Sequence, residues 1–168
     1  TRENIAKIVN SPLAQAADAL FAIGGGKAID TVKTANIELN KKVFSVPTIC
    51  SNCSAGTAIA VVYNADGSLE GYSYPHCPNH IFINPAIIAA APAEYFWAGI
   101  GDALSKQPEV EYATGAGNLE HTAALGLALA RTCSEPLFTY GEQGLADVRA
   151  GVSSEAVRQI ALDIVVNT

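Results

Sequence analysis

Residues 21–33 read Phe21-Ala22-Ile23-Gly24-Gly25-Gly26-Lys27-Ala28-Ile29-Asp30-Thr31-Val32-Lys33, and this segment is the most informative one for the architecture of the protein. Its three glycines stand between an apolar segment that predicts a strand and an amphipathic segment that predicts a helix. Because glycine lacks a Cβ, backbone N–H groups can approach an anion closely, and the positive end of the helix dipole faces the same anion. The stretch therefore predicts a phosphate-binding turn, which we call the glycine cradle (residues 24–27), with Asp30 and Lys33 facing the ligand.

The spacing of these glycines matches neither G-x-G-x-x-G nor G-x-x-x-x-G-K-[ST]. This departure argues against an ordinary Rossmann enzyme and against a P-loop nucleotide hydrolase. A plain turn before a helix is the alternative interpretation of the bare glycines.

Helical and strand patterns alternate on both sides of the cradle. The sequence predicts helices over residues 4–18 and 28–39, strands over 19–23, 42–46 and 81–83, and a hairpin of residues 57–63 and 69–74. Pro12 opens a second segment within the first helical stretch. The strand–helix–strand order predicts a parallel pair of strands joined by a right-handed crossover.

The pattern changes at Pro85, because almost nothing beyond it indicates a strand. Asn84, Ser134 and the pair Ser153-Ser154 precede helical segments as predicted N-caps. Pro108 is expected to end or kink the helix that contains it. We place a domain boundary between residues 91 and 92, with an α/β domain over 1–91 and a helical domain over 92–168.

Composition narrows the class of protein. With 168 residues, 49% hydrophobic and 15% charged, the chain can bury a substantial core. The net charge is −6 and the basic residues form no cluster longer than Lys41-Lys42, which argues against nucleic-acid and anionic-membrane partners. No apolar run is long enough for a spanning helix, and the first residues do not resemble a signal peptide, so we expect a cytoplasmic protein whose four cysteines are reduced.

The longer pattern G-G-G-K-x-x-D-x-x-K, at residues 24–33, resembles the iron-containing alcohol dehydrogenase superfamily, especially its glycerol dehydrogenase branch. Further segments resemble motifs of that family in the same order: V-P-T-x-x-S at residues 46–51, Y-x-x-D-G at 63–67, and G-I-G-D-A-L-x-K at 99–106. The likeness covers about residues 19–106 and continues more faintly beyond them.

The resemblance implies a Rossmann-like nucleotide-binding domain followed by an all-α, dehydroquinate synthase-like domain, with NAD as cofactor. It also implies a polyol substrate and a homo-oligomer. It assigns cofactor binding to matching positions: Gly24, Gly25, Gly26, Lys27, Asp30, Thr48, Ser51, Thr57, Ile59 and Tyr63. Thr48 and Ser51 have an alternative role in satisfying backbone groups of a turn.

Metal binding is implied at Asp102, which matches the family's ligand to a divalent cation, Zn²⁺ or Fe²⁺. The family's two further ligands are histidines on later helices, and none of His76, His80 and His121 matches their motifs. The chain is therefore expected to lack the family's histidine-bearing helices. Thr1 is not an initiator residue, and the first strand and helix of the nucleotide fold are not recognised, so we expect an internal fragment that is incomplete at both ends. A surface or helix-capping carboxylate is the alternative for Asp102.

Cys53 departs from the glycerol dehydrogenase pattern, which has an aspartate that helps to hold the polyol at the matching position. A thiol cannot accept the same charge-assisted hydrogen bond, so the choice of substrate is open. Cys50-x-x-Cys53 and Cys77-x-x-His80 also form a possible structural zinc site.

The resulting hypothesis is a metal-dependent oxidoreductase that transfers a hydride between a polyol such as glycerol and NAD. One alternative is a glycerol-phosphate dehydrogenase of the same superfamily. Another is a nucleotide-binding or zinc-stabilised module without catalysis. The sequence assigns no catalytic acid or base.

Overall fold

The structure is a computed structural model that describes residues 1–115 and 117–168. The chain forms two units, each with its own packing. The first consists of Thr1–Thr48 and Ser54–Asn84, and the second of Ile49–Cys53 and Pro85–Thr168. The domain boundary expected at residues 91 and 92 stays a prediction for the whole protein.

The first unit is an α/β structure. Its elements, in chain order, are α1 (Arg2–Val9), α2 (Pro12–Ala16), β1 (Ala19–Gly24), α3 (Gly26–Leu39), β2 (Lys42–Pro47), β3 (Ala60–Tyr63), β4 (Leu69–Ser73) and β5 (His80–Ile81). Strands β1, β2 and β5 form a parallel sheet in the order β1-β2-β5, and β3 pairs with β4 as an antiparallel hairpin.

Parallel pairing places the ends of β1 and β2 side by side. The register runs from Ala19 opposite Lys42 to Gly24 opposite Pro47. Helix α3 connects the two strands and packs against both. The predicted parallel strand–helix–strand arrangement is confirmed, and the turn that holds the glycines lies at the carboxyl edge of the sheet.

The first helical stretch is divided where proline predicts a new start. Ser11 caps α2, with its Oγ accepting a hydrogen bond from the Ala14 N–H at 3.4 Å, and Pro12 is the first helical residue. The predicted hairpin is present with shorter strands and an irregularity between Val62 and Tyr63.

Helices make up the second unit. They are α4 (Pro85–Ala89), α5 (Ala93–Thr114), α6 (His121–Ala130), α7 (Ser134–Arg149) and α8 (Glu155–Val166). Helix α8 packs against α4, α5 and α7 and buries an apolar face that includes Val157, Ile160 and Ile164. None of the helices in the described ranges combines the length and the apolar character needed to cross a bilayer.

Two expectations about this unit require correction. Ser154 caps α8 as predicted, but Ser134 is the first residue of α7, and its hydroxyl donates to Gln107 Oε1 at 2.8 Å instead of capping the helix. Helix α5 does not end at Pro108 and continues to Thr114, so only the alternative of a kink at Pro108 stays a prediction.

The segment Ile49–Cys53 belongs to the second unit because its backbone lies directly on α5. A Cβ at Gly99 would lie 2.2 Å from the carbonyl oxygen of Cys50 and 3.0 Å from Ile164 Cδ1. Only glycine allows this approach. The Cys50 thiol also donates to the carbonyl of Ala161 on α8, at 3.8 Å.

Candidate functional site

The glycine cradle begins at Gly24, the last residue of β1. Its φ of +147° is one that side chains disfavour, and an added Cβ would lie 2.8 Å from the Cβ of Ala28. The carbonyl of Gly24 accepts a hydrogen bond from the Thr48 N–H at 3.0 Å. Gly24 and Thr48 therefore join the ends of β1 and β2, where ligands bind in open parallel sheets.

Gly25 caps α3 in an ordinary extended conformation, with φ −82° and ψ −178°. Within the described part of the chain no side chain caps the helix, and its first turn, which includes Gly26 and Lys27, contains no acidic residue. The amide groups at this end and the positive end of the helix dipole are thus available to an anion, without a carboxylate in the first turn to compete for them. Because the backbone of Gly25 suits any residue, its lack of a side chain calls for another reason, and close approach of a ligand is one.

Lys27 and Tyr63 lie together beside this turn. The ammonium of Lys27 is 5.1 Å from the centroid of the Tyr63 ring, and both side chains line a cavity of about 480 Å³. The cavity is open to solvent, and residues of α1 and of the turn between β3 and β4 also line it. The sequence did not predict the contribution of α1, since Asn4 and Ile8 belong to no motif.

Asp30 and Lys33 point into the first unit. The side chain of Lys33 is fully buried, and its ammonium donates to the carbonyls of Ser54, Thr57 and Ile59. The expectation that Lys33 faces the ligand is therefore wrong. The i, i+3 spacing of the two residues indicates that an acid and a base share one face of the helix, but it does not indicate that this face is buried.

Asp30 contacts two groups inside the unit. Its Oδ2 accepts a hydrogen bond from the Val61 N–H at 3.0 Å, and its Oδ1 lies 3.0 Å from the Lys33 ammonium. Its assignment to cofactor binding stays a prediction. Among the cofactor candidates, the structure links Thr57 and Ile59 to α3 through Lys33, and Tyr63 to the cradle through Lys27.

Ser51, Cys53 and Asp102 all lie in the second unit. The Ser51 hydroxyl accepts a hydrogen bond from the Asn52 amide at 3.4 Å, and Cys53 is half-buried. Cys50 is buried, and burial together with the negative charge of Asp163 raises the pKa of its thiol to about 12. A thiol that stays protonated at neutral pH is a poor nucleophile.

Asp102 is half-buried on α5, and its carboxylate lies 3.3 Å from the ammonium of Lys106, one turn later. Burial lowers the pKa of Lys106, but the charges of Asp102 and Glu109 outweigh that effect and the net pKa is raised. Throughout residues 1–115 and 117–168, no three His, Cys, Asp or Glu side chains are grouped so that they could hold a metal ion. The described residues alone therefore do not fit a metal, and Asp102 could supply only one ligand.

The same finding argues against a structural zinc site. Cys50 and Cys53 belong to the second unit, whereas Cys77 and His80 are exposed residues of the first. His121 is the exposed first residue of α6. No four-ligand cluster of the predicted kind is formed by the part of the chain that the structure describes.

A parallel sheet with a glycine turn at its carboxyl edge, followed by a helical unit, defines an α/β protein of Rossmann-like architecture. The family model for iron-containing alcohol dehydrogenases matches residues 1–85. The chain belongs to this family, and its relatives place it in the glycerol dehydrogenase branch.

Two relatives illustrate the similarity in sequence. A glycerol dehydrogenase of Thermotoga maritima is 38% identical over 129 residues, which are 74% of this chain and 35% of the relative. A glycerol dehydrogenase of Citrobacter freundii is 37% identical over 147 residues, 84% of this chain and 40% of the relative.

A solved structure shows the same architecture. The probable glycerol dehydrogenase from Sinorhizobium meliloti 1021 superposes with a TM-score of 0.85 at 32% identity, covering 96% of this chain and 47% of that one. This chain thus spans less than half the length of the relatives that it matches.

Proposed function

We propose that the whole protein is an NAD-dependent polyol dehydrogenase, which transfers a hydride between the carbinol carbon of a polyol such as glycerol and NAD. The observation that carries this proposal is the uncapped N-terminus of α3 at Gly25, a glycine whose backbone does not require it to be one. The glycerol dehydrogenases among the relatives support the choice of a polyol over glycerol phosphate.

The first unit would bind the dinucleotide. Gly24, Gly25 and Gly26 would admit the pyrophosphate to the N-terminus of α3, and the exposed ammonium of Lys27 would add positive charge. Tyr63 would present a ring beside it. Thr48, Thr57, Ile59 and Asp30 complete the proposed contacts of this unit. A role for Ser51, which belongs to the second unit, stays a prediction. The nicotinamide supplies the hydride chemistry when it is bound, and the protein supplies binding and orientation.

A divalent metal, Zn²⁺ or Fe²⁺, belongs to the proposal for the whole protein only. Asp102 would be one of its ligands, and the others would come from residues outside those described here. Since the described residues do not complete a metal site, we derive no step of the reaction through the metal.

The proposal also concerns the surroundings of the protein. We expect a cytoplasmic homo-oligomer that acts on small molecules and binds neither nucleic acid nor membrane. The net charge of −6 supports the latter expectation, because polyanions would be repelled. Light scattering of the purified whole protein measures the oligomeric state.

The experiment that tests the function uses the whole protein loaded with Zn²⁺ or Fe²⁺. Reduction of NAD is followed by absorbance with glycerol, other diols and glycerol phosphate as separate substrates. Oxidation of at least one unphosphorylated polyol is expected. If none of these compounds reduced NAD, the dehydrogenase proposal would be wrong. Activity on glycerol phosphate alone would favour the alternative of a glycerol-phosphate dehydrogenase.

A further inference from the structure

The buried ammonium of Lys33 is the centre of an oxygen-lined site inside the first unit. It donates to the carbonyls of Ser54 at 2.7 Å, Thr57 at 3.1 Å and Ile59 at 2.7 Å. A lysine ammonium has three N–H donors, so each is used once. The energetic cost of burying this charge is offset by three backbone dipoles and by the nearby carboxylate of Asp30.

The segment that supplies these carbonyls has no regular structure of its own. Residues 54–59 form neither helix nor strand, so their backbone groups need partners outside a hydrogen-bonded ladder. The Lys33 ammonium donates hydrogen bonds to three of these carbonyls, and the Ser45 hydroxyl donates to the carbonyl of Ala55 at 2.8 Å. The segment is therefore held by side chains from α3 and β2.

Asp30 extends the same support to the strand that follows. Its Oδ2 accepts a hydrogen bond from the Val61 N–H, while its Oδ1 forms an ion pair with the Lys33 ammonium at 3.0 Å. Four oxygen atoms thus surround one nitrogen at 2.7 to 3.1 Å. Asp30 and Lys33 together therefore hold the backbone from Ser54 to Val61 against α3.

We propose that Lys33 is a positioning residue for the nucleotide site, a built-in cation around which residues 54–61 fold. The inference rests on the proposed function, since Thr57 and Ile59 are cofactor candidates whose backbone Lys33 holds. Lys33 does not touch the cofactor. In this proposal, Lys33 holds the backbone of Thr57 and Ile59, and these two residues contact the cofactor.

The oxygen shell makes a distinctive prediction about rescue. Lys33→Ala leaves four oxygen atoms facing an empty space that a small cation with similar contact distances can fill. Ammonium or methylammonium should therefore restore order to residues 54–61 in this variant, whereas sodium at equal ionic strength should not. Lys33→Met fills the space with an apolar chain and leaves the carbonyls without donors, so ammonium should not rescue it.

The experiment measures amide hydrogen exchange over residues 54–61 without nucleotide, and NAD affinity by calorimetry, on the same samples. In Lys33→Met we expect exchange to accelerate and NAD affinity to fall, each by at least about 10-fold. Lys42→Met is the matched control, because Lys42 is exposed on the same unit, and it should change neither quantity.

Each outcome is decisive. Unchanged exchange in Lys33→Met, or faster exchange with unchanged NAD affinity, would overturn the positioning role. If Lys33→Met did not fold, the Lys33→Ala protein would decide, and failure of ammonium to restore protection would overturn the proposal. An unsubstituted protein that bound no NAD would instead refute the proposed function, and with it the nucleotide part of this inference, before any variant was compared.

Discussion

Gly24 and Gly25 stand side by side in the glycine cradle, yet they are glycine for different reasons. Gly24 has a positive φ and packs against Ala28, so the fold itself requires it. Gly25 has φ and ψ values that any residue adopts, so the backbone conformation does not explain why a glycine occupies this position. Substitutions at the two positions therefore separate stability from binding.

Gly25→Val should weaken NAD binding by at least about 100-fold, which is about 2.7 kcal/mol, because the side chain occupies the space that the pyrophosphate needs. The melting temperature should stay close to that of the unsubstituted protein. Calorimetric titration with NAD and thermal unfolding measure the two effects. Gly24→Ala is the control, and it should lower the melting temperature. Equal NAD affinity in Gly25→Val would show that the cradle does not bind the cofactor.

The substitution Cys53→Asp tests whether the side chain at position 53 contacts the substrate. A carboxylate can accept a charge-assisted hydrogen bond from a polyol hydroxyl, which is worth about 1.5–3 kcal/mol, so KM for glycerol should fall by roughly 10- to 100-fold. Steady-state kinetics of the whole protein measure this change. Cys53→Ser restores a polar group without charge and should give a smaller effect. A KM that did not respond to either substitution would remove Cys53 from the substrate site.

At the scale of elements, the sequence predicted the order of helices and strands well, because alternating and helical apolar patterns report burial directly. It could not predict where Lys33 points. Side-chain direction at a buried charge depends on partners such as the Ser54 carbonyl, which are distant in sequence and carry no motif. It also misplaced the start of α7, since a serine near a helix start serves equally well as a cap or as a partner for Gln107.

Helix α5 offers a matched pair of glycines. Gly99→Ala would place a Cβ 2.2 Å from the Cys50 carbonyl oxygen, a backbone atom, and should lower the free energy of unfolding by about 1–3 kcal/mol. Gly101→Ala meets no atom within 4 Å and should raise it by about 0.5–1 kcal/mol through helix propensity. Urea unfolding of the two variants measures both signs. If both substitutions stabilised the protein, the packing of residues 49–53 on α5 would be wrong.

Helix α8 carries a buried carboxylate that makes stability depend on pH. Burial raises the pKa of Asp163 to about 6, and the Asn167 amide, which donates to Oδ1, opposes the rise only in part. In the described residues, Oδ2 has no hydrogen-bond partner. Since the folded-state pKa lies above the ordinary value near 4, protonation stabilises the fold below about pH 4, and this contribution is lost as pH rises through about 6.

Asp163→Asn should therefore change how the free energy of unfolding depends on pH. Relative to the unsubstituted protein, the variant should gain stability as pH rises from about 5 to about 7, because it cannot ionise. Urea unfolding at several pH values gives the difference. A difference in free energy that stayed constant across this range would mean that Asp163 does not titrate there.

Metal binding has to be tested in the whole protein, because the described residues do not complete a metal site. Asp102→Asn should abolish bound metal, whereas Cys50→Ser combined with Cys77→Ser should leave it unchanged, because the cysteines form no metal-binding cluster among the residues that the structure describes. Elemental analysis of the purified whole protein measures both. Metal that survived Asp102→Asn but disappeared with the two cysteines would favour the zinc module.

The candidate site was predictable from the sequence to the extent that it rests on local motifs. The glycines and Lys27 are adjacent in the chain, and the turn they form follows from their order. The cavity beside Tyr63 was not predictable, because it depends on how α1 and the hairpin pack around α3. No local pattern reports that packing.

The position of Cys50 on α5 and α8 has a consequence for synthesis. Its partner Ala161 lies 111 residues later in the chain. At about 5–20 residues per second, the ribosome needs roughly 6 to 22 s to deliver the helix that receives this thiol. We expect the Cys50 thiol to be more accessible to oxidants during that interval than in the folded unit, where it is buried, so oxidation of this residue is expected mainly before folding is complete.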